Sequence, residues 1–377
     1  MIAKTMFGFE SVLANELLQL GAMDVKEGTR MVSFVGDKGF MYKANLCLRT
    51  ALKILKPYKS FKVHSEKDLY DQIYALPWED FMGVDDSLAI DTAVHSEVFT
   101  HSQYVALKVK DAIVDRFREK FGRRPNVDLK HPTLRINIHI EKQFCNVSFD
   151  SSGSSLHKRG YRSSTNIAPI NEVLAAGMLL LSGWKGQCDF LDPMCGSGTI
   201  PIEAAMIACN IPPNINRKEF AFEKWKDWDN ELFETIEESV KSKEIEFEHK
   251  LYGFDISSAM IKKAEKNIEI SGLGVDIEIV KKDFLTSIKT DNDKLHVLIN
   301  PPYDKRISAD VNQLYKKIGD TLKNNYLYSD VWIITANLEA IKSIGLKSSK
   351  KIKLFNANLE SRLLNYKIYP GSKKHKN

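Results

Sequence analysis

Asp192, Asp255, Asp283 and Asn300 each stand at or just beyond the end of an apolar, strand-like run, and this sets them apart from the other polar residues of the chain. In an open α/β sheet the carboxyl ends of the strands are where ligands bind, so the four positions suggest one shared site. The first run ends in Asp192-Pro193-Met194-Cys195-Gly196-Ser197-Gly198-Thr199 and leads directly into a helix. Glycines at 196 and 198 let a backbone turn approach a ligand closely, and the helix start offers unpaired N–H groups. A dinucleotide site would need GxGxxG and an acid about 20 residues further on. Here the loop reads DxxCGSGT, the next acidic strand end lies 63 residues on, and no Lys follows the glycines as a P-loop requires. An acid leading the loop suits a cationic ligand instead.

S-adenosylmethionine has the matching parts: an ammonium, a sulfonium, a ribose diol and an adenine. Asp192 with Cys195, Gly196, Gly198 and Thr199 would hold its methionine end. Asp255, with Ile256 beside it, would accept the ribose hydroxyls, and Asp283, with Phe284, would take the adenine. The fourth run ends in Asn300-Pro301-Pro302-Tyr303. Two prolines fix the backbone so that a carbonyl and the Asn300 side-chain oxygen can address one planar NH2 group. Accepting both hydrogens would aim the nitrogen lone pair at a methyl group, with catalysis by positioning and electrostatics. Tyr303 offers a ring for a flipped-out base, a contact typically worth about 1–3 kcal/mol. Pyrimidine C5 methylation would need a Pro-Cys pair, which the sequence lacks, so Cys195 reads as a small packing residue. The nine His are scattered without metal-ligand spacing, and no metal is expected.

The elements that must position these residues are strands at Cys188–Asp192, Lys250–Asp255, Asp276–Val280, His296–Asn300 and Val331–Ala336. Helices fit at Glu172–Ser182, Thr199–Asn210, Ser257–Ser271 and Asp310–Asn324, the third with Ser257 as N-cap and Gly272 as terminator. This is the alternation of a doubly wound parallel sheet, closed by an antiparallel hairpin from Lys351–Ala357 and Arg362–Tyr369. Upstream, a βαβα module is expected over 1–58, with helices at Ser11–Leu20 and Gly39–Leu55, the second ended by Pro57, and a strand at Met31–Val35. A second module over 59–155 centres on a helix from Gln103 to Phe121 with Ser102 as its N-cap. It continues with strands at Leu134–Ile140 and Phe144–Phe149 and ends in Asp150-Ser151-Ser152-Gly153-Ser154-Ser155, which has the composition of a linker. Residues 156–167 would connect it to the domain spanning 168–377.

The chain has 377 residues and a net charge of +5 that hides an asymmetry. His101–Gly160 carries a basic excess of six and Ile341–Asn377 one of nine, whereas Ile211–His249 carries an acidic excess of five. Two basic regions on an acidic body suggest a polyanionic partner. Five widely spaced Cys without a CxxC pair argue against a disulfide framework and for a reducing compartment. The longest apolar stretch, Val173–Trp184, is too short to span a membrane, so a cytoplasmic protein is expected.

The loop at 192–199 and the run at 300–303 resemble the motifs of amino-group RNA methylases. Phe99-Thr100-His101-Ser102-Gln103-Tyr104, the helix after it, and Ser155-Leu156-His157-Lys158-Arg159-Gly160-Tyr161-Arg162 resemble a THUMP domain and its exit. The whole chain is similar to the THUMP-containing half of the bacterial large-subunit rRNA guanine-N2 methyltransferases. The resemblance implies a ferredoxin-like N-terminal module, a THUMP module that binds structured RNA, and a class I Rossmann-like methyltransferase domain. It also implies that Ala168-Pro169-Ile170-Asn171-Glu172 helps to cover the cofactor. The partner would be ribosomal RNA or a large-subunit assembly intermediate, with Lys108, Arg116, Arg123, Arg124, Lys158, Arg159 and Arg162 as candidate phosphate contacts. One departure is Asp304-Lys305-Arg306 where relatives often have Gly-Glu-Arg. A tRNA guanine or an adenine N6 amine is an alternative target, because Asn-Pro-Pro-Tyr does not distinguish the two amines. A non-catalytic assembly factor is the alternative from another class.

Overall fold

The computed structural model describes residues 1–163, 169–302 and 308–370. The N-terminal elements are β1 (Ile2–Thr5), α1 (Glu10–Leu20), β2 (Met23–Gly28), β3 (Met31–Val35), α2 (Lys38–Cys47) and β4 (Ala51–Lys62). They continue as α3 (Glu66–Tyr74), β5 (Ser87–His95), α4 (Ser102–Phe121), β6 (Asn126–Val127), β7 (Leu134–Glu141) and β8 (Phe144–Asp150). All eight strands form a single sheet in the order β2-β3-β1-β4-β8-β7-β5-β6. Strand β4 joins its two halves, since it pairs with β1 on one side and with β8 on the other. The expected module boundary at 58/59 therefore falls inside a strand.

That strand corrects the helix expected to run to Leu55. The helix ends at Cys47, and Leu48 adopts extended geometry. Ile54 and Leu55 then pair with Ala3 and Ile2, so sheet pairing overrides the helical spacing of the apolar residues. Pro57 does not end the element, because the pairing with β8 shifts register between Pro57 and Lys59, and such an irregularity tolerates a missing donor. Ser102 is the first residue of α4 and not its cap; His101 precedes the helix and no side chain caps it. The helix buries Val105, Val109, Ile113 and Phe117, while Phe121 is exposed at its end.

The serine-rich stretch after β8 is not a loose linker. Asp150, Ser151 and Ser152 are fully buried. Ser152 Oγ accepts from Ile54 N (2.8 Å) and donates to Asn45 Oδ1 (2.6 Å), and Lys53 Nζ lies 2.7 Å from Asp150 Oδ2. These serines substitute for packing where α2, β4 and β8 meet.

The C-terminal half contains α5 (Glu172–Ser182), β9 (Asp189–Asp192), α6 (Thr199–Ala208), α7 (Asn230–Lys241), β10 (Leu251–Asp255), α8 (Ser258–Ser271) and β11 (Ile277–Lys281). It closes with β12 (Leu295–Ile299), α9 (Ser308–Asn325), β13 (Ser329–Thr335), β14 (Lys350–Asn356) and β15 (Leu359–Lys367). The sheet order is β11-β10-β9-β12-β13-β15-β14. The first five strands are parallel, and the terminal hairpin adds antiparallel to β13. The acidic segment 211–249 packs back on the N-terminal half: Tyr42 of α2 lies 4.5 Å, ring to ring, from Phe222, and α7 contributes Phe233 to the same cluster.

Candidate active site

The sheet order places β9 at the centre of the five parallel strands, with its strand end between β10 on one side and β12 on the other. Chain reversal at this point opens a crevice, and the loops after β9, β10, β11 and β12 all reach it. They line a cavity of about 930 Å³, near the upper end of the roughly 300–1,000 Å³ range of small-molecule pockets. Asn171, Asp192, Cys195, Gly196, Thr199, Asp255, Ile256, Asp283, Phe284, Asn300, Pro301 and Pro302 line this one cavity. Gly198 is not among the lining residues and packs against Ala264 instead, and Tyr303 and the 304–306 variation lie outside the described residues.

The loop after β9 is built from backbone geometry. Gly196 (φ +54°) and Gly198 (φ +80°) hold left-handed conformations, and a Cβ on Gly198 would lie 3.1 Å from the Cβ of Ala264 in α8. Only glycine lets the turn sit against α8 while α6 starts at Thr199. Cys195 N donates to Phe254 O (2.8 Å), which ties the loop to β10. Cys195 is buried, and its sulfur would be 3.1 Å from a Cβ on Gly253; its thiol is pushed up by burial and by Asp192 and Asp255. This is a packing residue facing a ligand cavity, not an activated nucleophile.

The acids are held by N–H groups. Asp192 is 1% exposed and accepts from Met194 N (3.1 Å); burial pushes its carboxyl up to about 8. Asp255 accepts from Gly196 N (3.0 Å) and Ser257 N (2.8 Å), so it fixes both the glycine turn and the start of α8. Ser257 precedes α8 as expected but makes no side-chain cap bond. Asp283 accepts from Leu285 N (2.9 Å), and the Asn171 side-chain oxygen caps α5 through Val173 N and Leu174 N. Each carboxylate keeps further lone pairs for a ligand. A desolvated acid with no ion-pair partner among the described residues fits a cationic group, and the glycine turn fits a close backbone approach. The residues present therefore suit S-adenosylmethionine.

The basic candidates fare unequally. Arg159 cannot reach a phosphate: it is fully buried, donates to Leu156 O (2.8 Å) and Arg49 O (2.5 Å), and faces Glu203. Arg116 forms a two-pronged pair with Glu79 (2.7 and 2.8 Å), and Arg123 pairs with Asp85. Arg162 pairs with Glu172 beside the cavity. Lys108 lies over the rings of Tyr70 and Tyr104, and Arg124 is exposed. Lys158 lines a smaller cavity that shares Pro169 and Asn171 with the larger one. Sequence reasoning missed Met6, Asn356 and Leu359, which also line the main cavity. They come from distant parts of the chain, and no motif marks them.

No helix among the described residues is long and apolar enough to cross a membrane, and no group of three or more His, Cys, Asp or Glu among them could hold a metal ion.

Strand order, glycine turn and strand-end acids together define a class, the S-adenosylmethionine-dependent methyltransferases. Residues 159–365 match the family described as RMKL-like, methyltransferase domain; residues 63–150 match THUMP and residues 1–55 the RlmL ferredoxin-like domain. The chain belongs to this RMKL-like methyltransferase family. It is 34% identical to a Synechocystis sp. protein whose name assigns it provisionally to the RNA methyltransferases, covering 96% of this chain and 95% of that one. It is 36% identical to the ribosomal RNA large subunit methyltransferase K/L of Syntrophotalea carbinolica, covering 96% of this chain and 52% of that one. The chain thus spans about half the length of the K/L enzymes it matches. A solved structure, whose description assigns it provisionally to the methyltransferases and gives it as complexed with SAH, superposes with a TM-score of 0.87 at 30% identity, covering 98% of both chains. A Listeria monocytogenes structure, described as a predicted N6-adenine-specific DNA methylase, gives 0.86 at 31%, covering 97% of this chain and 95% of that one.

Proposed function

We propose that the protein methylates the exocyclic N2 amine of a guanine in 23S ribosomal RNA, presented as naked RNA or within a large-subunit assembly intermediate. The observation that carries this reading is the meeting of Asp192, Asp255, Asp283 and Asn300-Pro301-Pro302 in one cavity. Bound S-adenosylmethionine would supply an electrophilic methyl group on its sulfonium. Asp192 would bind the ammonium, Asp255 the ribose hydroxyls and Asp283 the adenine amine, with Asn171 and the glycine turn completing the cradle. Asn300 and a neighbouring carbonyl would accept the two hydrogens of the target amine and orient its lone pair, while Tyr303 would stack on the flipped-out base.

Residues 59–155 would bind RNA as the THUMP unit, behind the ferredoxin-like unit of 1–58. Segment 156–167 would join them to the methyltransferase unit of 168–377. Phosphates would be met by Lys108, Arg124 and Lys158 in preference to the paired arginines. The K/L names of the relatives support rRNA as the substrate. A second reading, an adenine N6 amine, is favoured by the likeness to the Listeria protein, which is named for that specificity on DNA. Nucleoside mass spectrometry of 23S rRNA and tRNA from a deletion strain tests the choice. Loss of one N2-methylguanosine from 23S rRNA, restored by the gene, is expected. Unchanged N2-methylguanosine with a lost N6-methyladenosine or tRNA mark would overturn it.

A further inference from the structure

Part of the cavity wall lies beyond the strand-end acids and comes from outside the parallel strands. Met6, in the β1–α1 connection, and Asn356 and Leu359, flanking the β14–β15 turn, line the cavity together with Asn300 and Pro302. Sheet order gives these residues a side. The acids belong to β9, β10 and β11, whereas β13, β15 and β14 lie beyond β12, on the far side of Asn300. Arg362 of β15 pairs with Thr335, the last residue of β13, so the hairpin turn stands at the carboxyl ends of the parallel strands, beside the site.

The β1–α1 connection is fixed in this position. Phe9 is fully buried within the core of the methyltransferase half, over Gly177 of α5, where a Cβ would lie 2.4 Å from its ring. Gly8 (φ +89°) sits so close to the hairpin that a Cβ would meet Leu354 Cδ2 at 3.0 Å. Phe7 packs edge-on against Phe355, 5.5 Å between ring centres. Glu10 ties the connection back to its own module, accepting from Gly8 N (2.8 Å) and Arg30 N (3.0 Å). Met6 itself packs on the methyltransferase core.

We propose that Met6 and Asn356 form the wall of the acceptor-base pocket, so that the N-terminal module supplies a substrate-positioning residue as well as the base of the RNA-binding sheet. The proposal rests on the methyltransferase reading above. A thioether is a flexible, polarisable surface suited to packing on an aromatic ring. An amide at 356 offers both a donor and an acceptor to the polar edge of a base. Met6 and Asn356 are positioning residues; the chemistry stays with the Asn300 loop.

The test uses the full chain, with S-adenosylhomocysteine as calorimetric probe and 23S RNA from a deletion strain as methyl acceptor. Met6→Ala and Asn356→Ala should each lower kcat/KM for RNA about tenfold, with S-adenosylhomocysteine affinity within about twofold of the parent. Met6→Leu should recover the rate to within about threefold, which a general loss of folding would not allow. A parallel loss of S-adenosylhomocysteine affinity would place the wall on the cofactor and overturn the proposal. Parental rates in both alanine variants would also overturn it while leaving the methyltransferase reading intact. Failure of the parent chain itself to bind S-adenosylhomocysteine or to methylate the RNA would overturn both.

Discussion

Charge is used in opposite ways in the two halves of the molecule. In the methyltransferase half, Asp192, Asp255 and Asp283 accept only backbone N–H groups and have no ion-pair partner among the described residues. In the N-terminal half, the conspicuous cations are matched: Arg116 and Lys120 share Glu79, Arg118 faces Asp115 and Arg123 faces Asp85. Glu79 is held well below the usual carboxylate range, chiefly by its hydrogen bond from Arg116, whereas burial drives Asp192 upward. An unpaired buried charge opposes folding and persists where a ligand rewards it; a paired surface charge is structural. The buried, unpaired Asp192 therefore marks the site, whereas a count of bases overstates the positive surface free to meet a polyanion.

The sharpest test of the acid side separates chemistry from cofactor binding. Asn300→Ala should reduce methyl transfer about a thousandfold, since the proposed mechanism assigns Asn300 to the reacting amine. Affinity for S-adenosylhomocysteine should stay within about threefold of the parent. A large loss of that affinity in calorimetry would move Asn300 into the cofactor cradle and blur the division.

Asp192→Asn should weaken S-adenosylhomocysteine binding about a hundredfold, because the proposed charge-assisted contact to the ligand's ammonium would be lost in a desolvated site. The same change should stabilise the unliganded protein. The unfolded chain releases this proton near pH 4, as an ordinary Asp does, while the folded protein keeps it until about pH 8. The parent therefore loses stability as pH rises through that window, by up to several kcal/mol by linkage, and the Asn variant escapes the loss. Thermal melts at pH 5 and pH 8 should show the variant's advantage growing with pH; no advantage at pH 8 would mean that Asp192 is not desolvated. By the same reasoning, S-adenosylhomocysteine affinity of the parent should fall about twentyfold between pH 8.5 and pH 6.5, since binding must first ionise Asp192.

What could be foreseen in the sequence follows from the range of the interactions. The parallel half was legible because each strand end carries its own signal: Asp192 with a glycine turn, Asp255, Asp283, and Asn300 with two prolines. Helix α5 was legible for its apolar run, and the edge hairpin for its two β-rich runs. The helix misplaced over Ala51–Leu55 shows the limit, since those residues are strand only because β1 and β8 pair with them. Asp150-Ser151-Ser152 read as a linker because its local composition says nothing of the buried Asn45 and Ile54 backbone it satisfies. Arg159 looked like a phosphate ligand for the same reason: its partners Arg49 and Glu203 lie 110 and 44 residues away. Met6 entered the cavity through a contact between modules, and no spacing could announce it.

The basic half yields the smallest effects and the finest discrimination. Lys158→Ala and Arg124→Ala should each reduce the slope of log affinity for RNA against log salt by about one, with unchanged thermal stability. Arg116→Ala should do the reverse, leaving the salt slope alone and costing about 1 kcal/mol of stability at pH 7. Its pH dependence carries the sign of the pair. Glu79 is depressed below its ordinary value, so the pair stabilises the fold above about pH 4.5, and that contribution is lost as pH falls toward the folded value. The stability difference between parent and Arg116→Ala should thus shrink from pH 7 to pH 3, measured by urea unfolding at both. A salt slope that falls as much in Arg116→Ala as in Lys158→Ala would mean that RNA competes Glu79 away from Arg116. The contrast between matched bases and unmatched acids would then hold only for the protein without its substrate.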